Sequence, residues 1–282
     1  SVSKALYIEY EKLANALTVA TLAFETRSQY AWALRTIEDW IEWSGRRPRK
    51  ESVFSACRIL AARGQCNEVT SLIKRVLLIP PCADEVKTYN NGSRSYETSV
   101  YTAAITALHK HGFYDNADEL YANAITGGFL PSAIIENDVD EMKPKLDLHG
   151  MSLSIAHAAV RVSLQHLIRA NTPDTAKQDV VIVTGRGKRS LRYLRPVLRP
   201  EVQRMLLEEF YPPLSTYSAR GNMGALIVPS TDIIAWNTHQ QRQKSYHFLA
   251  IADVLKNICS GNQLRNALLE KIKNRENFEE PS

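Results

Sequence analysis

Two short stretches of the chain carry the residue types that phosphodiester chemistry needs. The first, KLDLHG over residues 145–150, holds a carboxylate at Asp147 and an imidazole at His149. An imidazole exchanges a proton near neutral pH and serves as general base or acid, and a nearby carboxylate orients the ring or the substrate. The second, VIVTGRGKRS over residues 181–190, is an apolar run that ends in a loop of two glycines and three cations. Gly185 and Gly187 let the backbone turn sharply and bring amides from Thr184 onward close to a phosphate. Arg186, Lys188, Arg189 and, just beyond, Arg192 supply charge-assisted contacts.

If the two stretches end neighbouring strands of an open α/β sheet, Asp147 and His149 share a rim with the loop, where ligands of such sheets sit. The chemistry expected on RNA is attack by the adjacent 2′-hydroxyl, with His149 moving the proton and Arg186 and Lys188 offsetting phosphorane charge. One carboxylate and one histidine are too few donors for a metal site, so no metal or other cofactor is assigned. Structural duties compete for the same residues. Asp147 can cap the following helix, His149 can bond a backbone carbonyl, and the glycines can serve strand–helix packing. His157 reads as a core residue and Trp236 as a packing anchor.

Charge is distributed in the same sense. The 282 residues have a net charge of +5, but residues 1–144 hold 16 Lys and Arg against 18 Asp and Glu, and residues 145–282 hold 19 against 12. Seven cations (Arg186, Lys188, Arg189, Arg192, Arg195, Arg199 and Arg204) fall within nineteen residues beside only Glu201. A basic half with a local cationic cluster points to a polyanionic partner. Four scattered cysteines have no metal-ligand spacing and suit a reducing compartment. No apolar run approaches the length that spans a bilayer. The chain begins at Ser1, so a targeting segment cannot be read from it.

The elements that must position the site follow from periodicity. After KLDLHG, Ser152 opens a helix with Leu153, Ala156, Val160, Leu164 and Leu167 on its apolar face. The continuous apolar run in DVVIVTG predicts a strand buried on both faces. A helix follows from Pro200, and then two strands around a Gly-Asn-Met-Gly turn, halted by Pro229. The order βαβαββ predicts a two-layer α/β sandwich with a mixed sheet over residues 145–237. Residues 238–282 read as a C-terminal helical extension, with Leu264, Leu268 and Ile272 on one face.

Residues 1–144 read as paired helices. In Thr98–Ser132, Tyr101, Ala104, Ile105 and Leu108 recur at helical spacing, and Gly112 caps that helix. Asp115 is placed to cap the next helix, which carries Ala117, Leu120, Tyr121 and Ile125. A weaker copy starts at Lys50, with Val53, Cys57, Leu60 and Gly64 in matching places. The Asn-, Gly- and Ser-rich segment Ala83–Glu97 reads as an exposed insertion between the two. Repeated hairpins of this kind stack into an α-solenoid.

Both halves resemble known families. The 35-residue unit Thr98–Ser132 resembles a pentatricopeptide repeat of organellar RNA-binding proteins. The resemblance implies that the fifth and last positions, Thr102 and Ser132, read one RNA base. The weaker copy departs from this, with Phe54 at its fifth position. LDLHG followed by VTGRGKRS is similar to the small MutS-related domain, over about residues 145–236. VPSTDIIAWN, Val228–Asn237, resembles the ending found when that domain follows pentatricopeptide repeats. In that family the motif pair accompanies nucleic-acid cleavage in some members and binding alone in others. The resemblances therefore imply an RNA-binding protein of mitochondrion or plastid, with endoribonuclease chemistry at Asp147 and His149. The alternative is a non-catalytic component of an organellar ribonucleoprotein such as the ribosome. Protein partners are expected through the helical repeats and the C-terminal helices.

Overall fold

The computed structural model describes residues 2–81, 95–135, 143–169, 178–185 and 197–242. Among them, six helices come first: α1 (Val2–Thr26), α2 (Tyr30–Ser44), α3 (Lys50–Ala62), α4 (Cys66–Leu78), α5 (Tyr96–Lys110) and α6 (Tyr114–Thr126). They pair as hairpins, and α3 packs on both α1 and α5, so the first helices of successive hairpins form a row. The turns at Gly64 and Gly112, matched in the repeat pattern, both take the left-handed conformation, φ +73° and +81°. That conformation is nearly free for glycine and strained for other residues. Val53, Cys57 and Leu60 are buried on α3, and Tyr101, Ala104, Ile105 and Leu108 on α5. Burial pushes the Cys57 thiol up to about 12, so it is a packing residue rather than a nucleophile.

Two local expectations are corrected. The insertion does not extend to Glu97. Ser95 accepts a hydrogen bond from the Thr98 amide and caps α5, which begins at Tyr96. Glu97 instead takes a 2.6 Å bond from buried Arg47, tying the hairpins together across the insertion. The second helix of the unit starts at Tyr114 with Phe113 at the cap position, so Asp115 lies in its first turn. A carboxylate there still faces the positive end of the helix dipole.

The remaining described residues form a five-stranded mixed sheet with three helices. The strands are β1 (Ile134–Ile135), β2 (Lys145–Asp147), β3 (Val180–Val183), β4 (Tyr217–Ser218) and β5 (Ala225–Val228), in the order β1-β2-β3-β5-β4. Only β2 and β3 are parallel, as the intervening helix α7 (Leu153–Arg169) requires. Helix α8 (Leu198–Glu208) precedes β4, and a helix over residues 230–242, α9, follows β5. The strand β1 was not expected. It adds an antiparallel edge drawn from before residue 145.

Leu146, Ile182 and Leu226 lie side by side on one sheet face and are fully buried. Val181 and Val183, on the opposite face of β3, are only half-buried. The expectation that β3 is covered on both sides therefore fails among the described residues. An unbroken apolar run does not by itself distinguish two covered faces from one.

Helix α7 is the joint of the molecule. Every residue from Ile155 to Arg161 is buried, because α7 packs on α5 and α6 as well as on α8. Three alanines, at 156, 158 and 159, allow that close approach on several sides. Toward the hairpins α7 presents polar groups. Arg161 grips Asp118 of α6 with two bonds of 2.8 and 2.9 Å and reaches Glu209, past the end of α8, at 2.8 Å. Its guanidinium also lies 4.8 Å over the Tyr114 ring. One turn earlier, His157 Nδ1 lies 3.0 Å from His109 Nε2 of α5, so the two rings share a proton. His157 is 1% exposed, and its Nε2 is buried without a partner among the described residues. Burial, helped by His109 and Arg161, lowers its pKa to about 4. His109 is lowered too, first by burial and then by Arg161 and Arg204. His157 is thus the core residue its helix face suggests.

Candidate nucleic-acid site

The parallel pairing of β2 with β3 sets Asp147 beside Val183, so both strands deliver their carboxyl ends to one edge of the sheet. Past that edge the chains stay in register for one more bond, from the Leu148 amide to the Val183 carbonyl at 2.8 Å. The Asp147 carboxylate has two partners. Oδ1 accepts the His149 amide at 2.9 Å, which closes a tight turn. Oδ2 lies 2.6 Å from His149 Nδ1. The structural duty and the chemical one thus coexist in one side chain. With Nδ1–H donated to Oδ2, Nε2 is the ring nitrogen left to act as a base. The His149 side chain is 68% exposed and that of Asp147 26%.

Gly185 closes the rim from the β3 side. Its φ is +79°, and a Cβ placed on it would lie 3.6 Å from the His149 Cβ. Any side chain at 185 would therefore come up against the histidine. Thr184, expected on the nucleic-acid surface, is 5% exposed. Its hydroxyl and its amide donate to the Gly224 carbonyl at 3.2 and 2.8 Å, and the Gly185 amide donates to the same oxygen at 3.1 Å. These two amides fasten β3 to β5, so any phosphate cradle must use amides further along. Arg186, Gly187, Lys188, Arg189, Arg192 and Arg195 lie outside the described residues. The other two cations of the cluster serve the fold. Arg199 bonds the Met223 carbonyl and the Ser218 hydroxyl, and Arg204 pairs with Glu201 and Glu208.

The remaining candidates lie on the helical half. Thr102 is half-buried on α5, with its hydroxyl donated to the Thr98 carbonyl at 2.7 Å. It lines an open groove between α3 and α5 with Phe54, Arg58, Thr106 and Lys110. Thr102 and Phe54 therefore face one groove. Ser132 is exposed beyond α6, where its hydroxyl accepts the Ile134 amide at 3.2 Å. Among the described residues, no three His, Cys, Asp or Glu side chains group as metal ligands, and no helix is long and apolar enough to cross a membrane. Trp236 is buried, edge-on to Phe210 with ring centres 5.0 Å apart, and serves packing. Sequence reasoning missed the part played by Gly224, whose carbonyl organises the rim. The available signal was that this glycine ends the turn before β5.

No curated protein matches the chain, and no family model matches its helical half. Residues 146–230, which hold Asp147, His149 and β3 through β5, match the model of the Smr domain, a module consistent with nuclease action or nucleic-acid binding.

Proposed function

We propose that this protein binds RNA and that its Smr domain cleaves it at the Asp147–His149 rim, in the mitochondrion or plastid. The observation that supports this reading best is the exposed imidazole. Its Nδ1 is held by a carboxylate at 2.6 Å, and a Cβ on Gly185, where the glycine-bearing cationic segment begins, would lie 3.6 Å from its own Cβ. In the proposed reaction His149 Nε2 takes the proton of a 2′-hydroxyl. The freed oxygen bonds to the adjacent phosphorus, and the bond from phosphorus to the 5′-oxygen breaks. The departing oxygen takes up a proton, leaving a 2′,3′-cyclic phosphate and a 5′-hydroxyl end. Asp147 holds the ring in the productive tautomer. The loop cations offset the charge that grows on phosphorus. The resemblance of the helical half to organellar repeats supports RNA as substrate and the organelle as location, and the groove beside Thr102 offers a path for a strand.

The test is cleavage of an end-labelled RNA oligonucleotide by the purified full chain, with and without a chelator. His149→Ala is expected to lower the rate by about 10²-fold or more while binding is retained. A single 2′-deoxy substitution at the cut site is expected to block that cut. Equal cleavage by wild type and His149→Ala overturns the assignment. Binding without cleavage between about pH 5 and 8 leaves the non-catalytic ribonucleoprotein component as the function. Imaging of a fluorescent fusion of the complete gene product tests the location.

A further inference from the structure

The turn between β4 and β5 combines a fixed backbone with a side chain that the fold does not use. The Asn222 amide donates to the Ala219 carbonyl and the Ala225 amide to the Asn222 carbonyl, each at 3.2 Å, and the Gly224 amide donates to Asn222 Oδ1 at 3.0 Å. Arg199 holds the Met223 carbonyl, and the next carbonyl, that of Gly224, takes the bonds from Thr184 and Gly185. Main chain on both sides of Met223 is therefore pinned to the site. Its side chain is 83% exposed and contributes no packing, so the turn forms without needing an apolar residue there. Arg220, three residues earlier on the same turn, is exposed and makes no ion pair with any described residue.

Isolated exposed apolar residues are common and mean little on their own. Position makes this one informative. Across the rim the order is His149, then Gly185, where a Cβ would reach the histidine, then Gly224, hydrogen-bonded to Gly185, with Met223 next to it in the chain. An acid–base pair is thus followed by an apolar side chain and a cation. A polynucleotide offers the matching sequence of groups, a reacting phosphate flanked by a base and a further phosphate. Methionine is long, unbranched and polarisable, and it adapts to rings of different shape. In A-form duplex RNA the bases are stacked and paired inside a groove that side chains cannot read, so a base is offered to such a side chain only where the strand is single.

We infer that the substrate is single-stranded RNA, with an unpaired base lying against Met223 and a neighbouring phosphate at Arg220. This rests on the nucleic-acid reading of the Smr rim and is tested separately from cleavage. Fluorescence anisotropy of the full chain is measured at fixed salt with an unstructured RNA hexamer and with an RNA duplex containing the same sequence. The hexamer is expected to bind more tightly. Met223→Ser is expected to weaken hexamer binding about twofold to twelvefold, the range of a thioether–ring contact, and to leave duplex binding unchanged. Met223→Leu should retain most of the affinity, and Arg220→Ala should reduce its salt dependence. If wild type binds neither RNA, the nucleic-acid reading falls and this inference with it. Tight hexamer binding that Met223→Ser and Arg220→Ala both leave intact overturns this inference alone, as does duplex binding at least as tight as the hexamer's.

Discussion

Histidines 149 and 157 flank the start of one helix, eight residues apart, and each shares a proton with a single partner. His149 is exposed, and its partner is a carboxylate that leaves Nε2 to act as a base. His157 is sealed between α7 and α5, and its partner is a second imidazole under the influence of Arg161. The first arrangement favours proton exchange with a ligand. The second penalises any added proton, because burial disfavours a cation there and His109 and Arg161 add to the penalty more than Glu201 relieves it. Residue type therefore does not assign the role. Exposure and the charge of the partner do.

The largest expected effect tests the buried side of that contrast. Arg161→Met leaves Asp118 and Glu209 without their common cation, and uncompensated buried charge of this kind typically costs about 3–5 kcal/mol. His149→Ala, on the open rim, should change stability by less than about 0.5 kcal/mol. Urea unfolding of the two variants measures both. If Arg161→Met costs under about 1 kcal/mol, α7 is held to the hairpins by apolar packing alone.

Acid sharpens the comparison next. Folded His157 takes up its proton only near pH 4, whereas the unfolded chain does so near about 6.5. Between those values the unfolded chain holds more protons on this group, so its contribution to stability rises with pH, while Asp118, raised to about 6 mainly by burial, contributes in the opposite sense. The His157 contribution is fully present above about 6.5 and is lost as pH falls toward 4. The two and a half pH units correspond to at most about 3 kcal/mol. His157→Leu should flatten the wild-type curve by up to that amount between pH 4 and 6.5. Parallel curves for the two proteins would mean that His157 is solvated and that the shared proton does not matter for folding.

The two sites also differ in how far the sequence revealed them. Asp147 and His149 are two residues apart at a strand end, and the βαβ connection forces that end beside β3, so the rim was legible from order and periodicity. The buried cluster was not, since its partners are separated by 43 residues for Asp118 and Arg161 and by 48 for His109 and His157. A hint existed in α7 itself, where His157 and Arg161 interrupt an alanine-rich helix at a spacing of one turn. The strand β1 was missed because two residues carry no alternation. Thr184 was expected to offer its amide to a phosphate, and only the β3–β5 pairing shows that this amide and the hydroxyl are taken by the Gly224 carbonyl. The capping of α5 by Ser95 was hidden inside a composition that reads as loop.

A smaller effect separates turn geometry from contact with the rim. Gly150 and Gly185 both have positive φ, +76° and +79°, so alanine at either should cost about 1 to 2 kcal/mol in backbone strain. Only at 185 does the new methyl meet His149, while at 150 nothing lies within 4 Å. Gly185→Ala should therefore shift the His149 ring resonances in an NMR titration, and Gly150→Ala should leave them much closer to wild type. Equal shifts would show that the rim responds to the turn as a whole and not to this contact.

The smallest effect is expected on the helical half. The Thr102 hydroxyl is donated to the Thr98 carbonyl one turn back, a bond that adds little to a helix whose backbone is already paired. The Ser132 hydroxyl accepts one turn amide at an exposed position. Thr102→Ala with Ser132→Ala should thus alter stability by about 0.5 kcal/mol or less. The groove at Thr102 is shared with Phe54, which offers no hydrogen bond to a base edge, so one repeat at most discriminates. Selection of bound sequences from a random RNA pool should therefore give similar preferences for wild type and the double variant. Overall affinity should follow the basic half, since residues 1–144 are slightly acidic. A clear change in the selected sequence would move base recognition to the groove and leave the rim with chemistry alone.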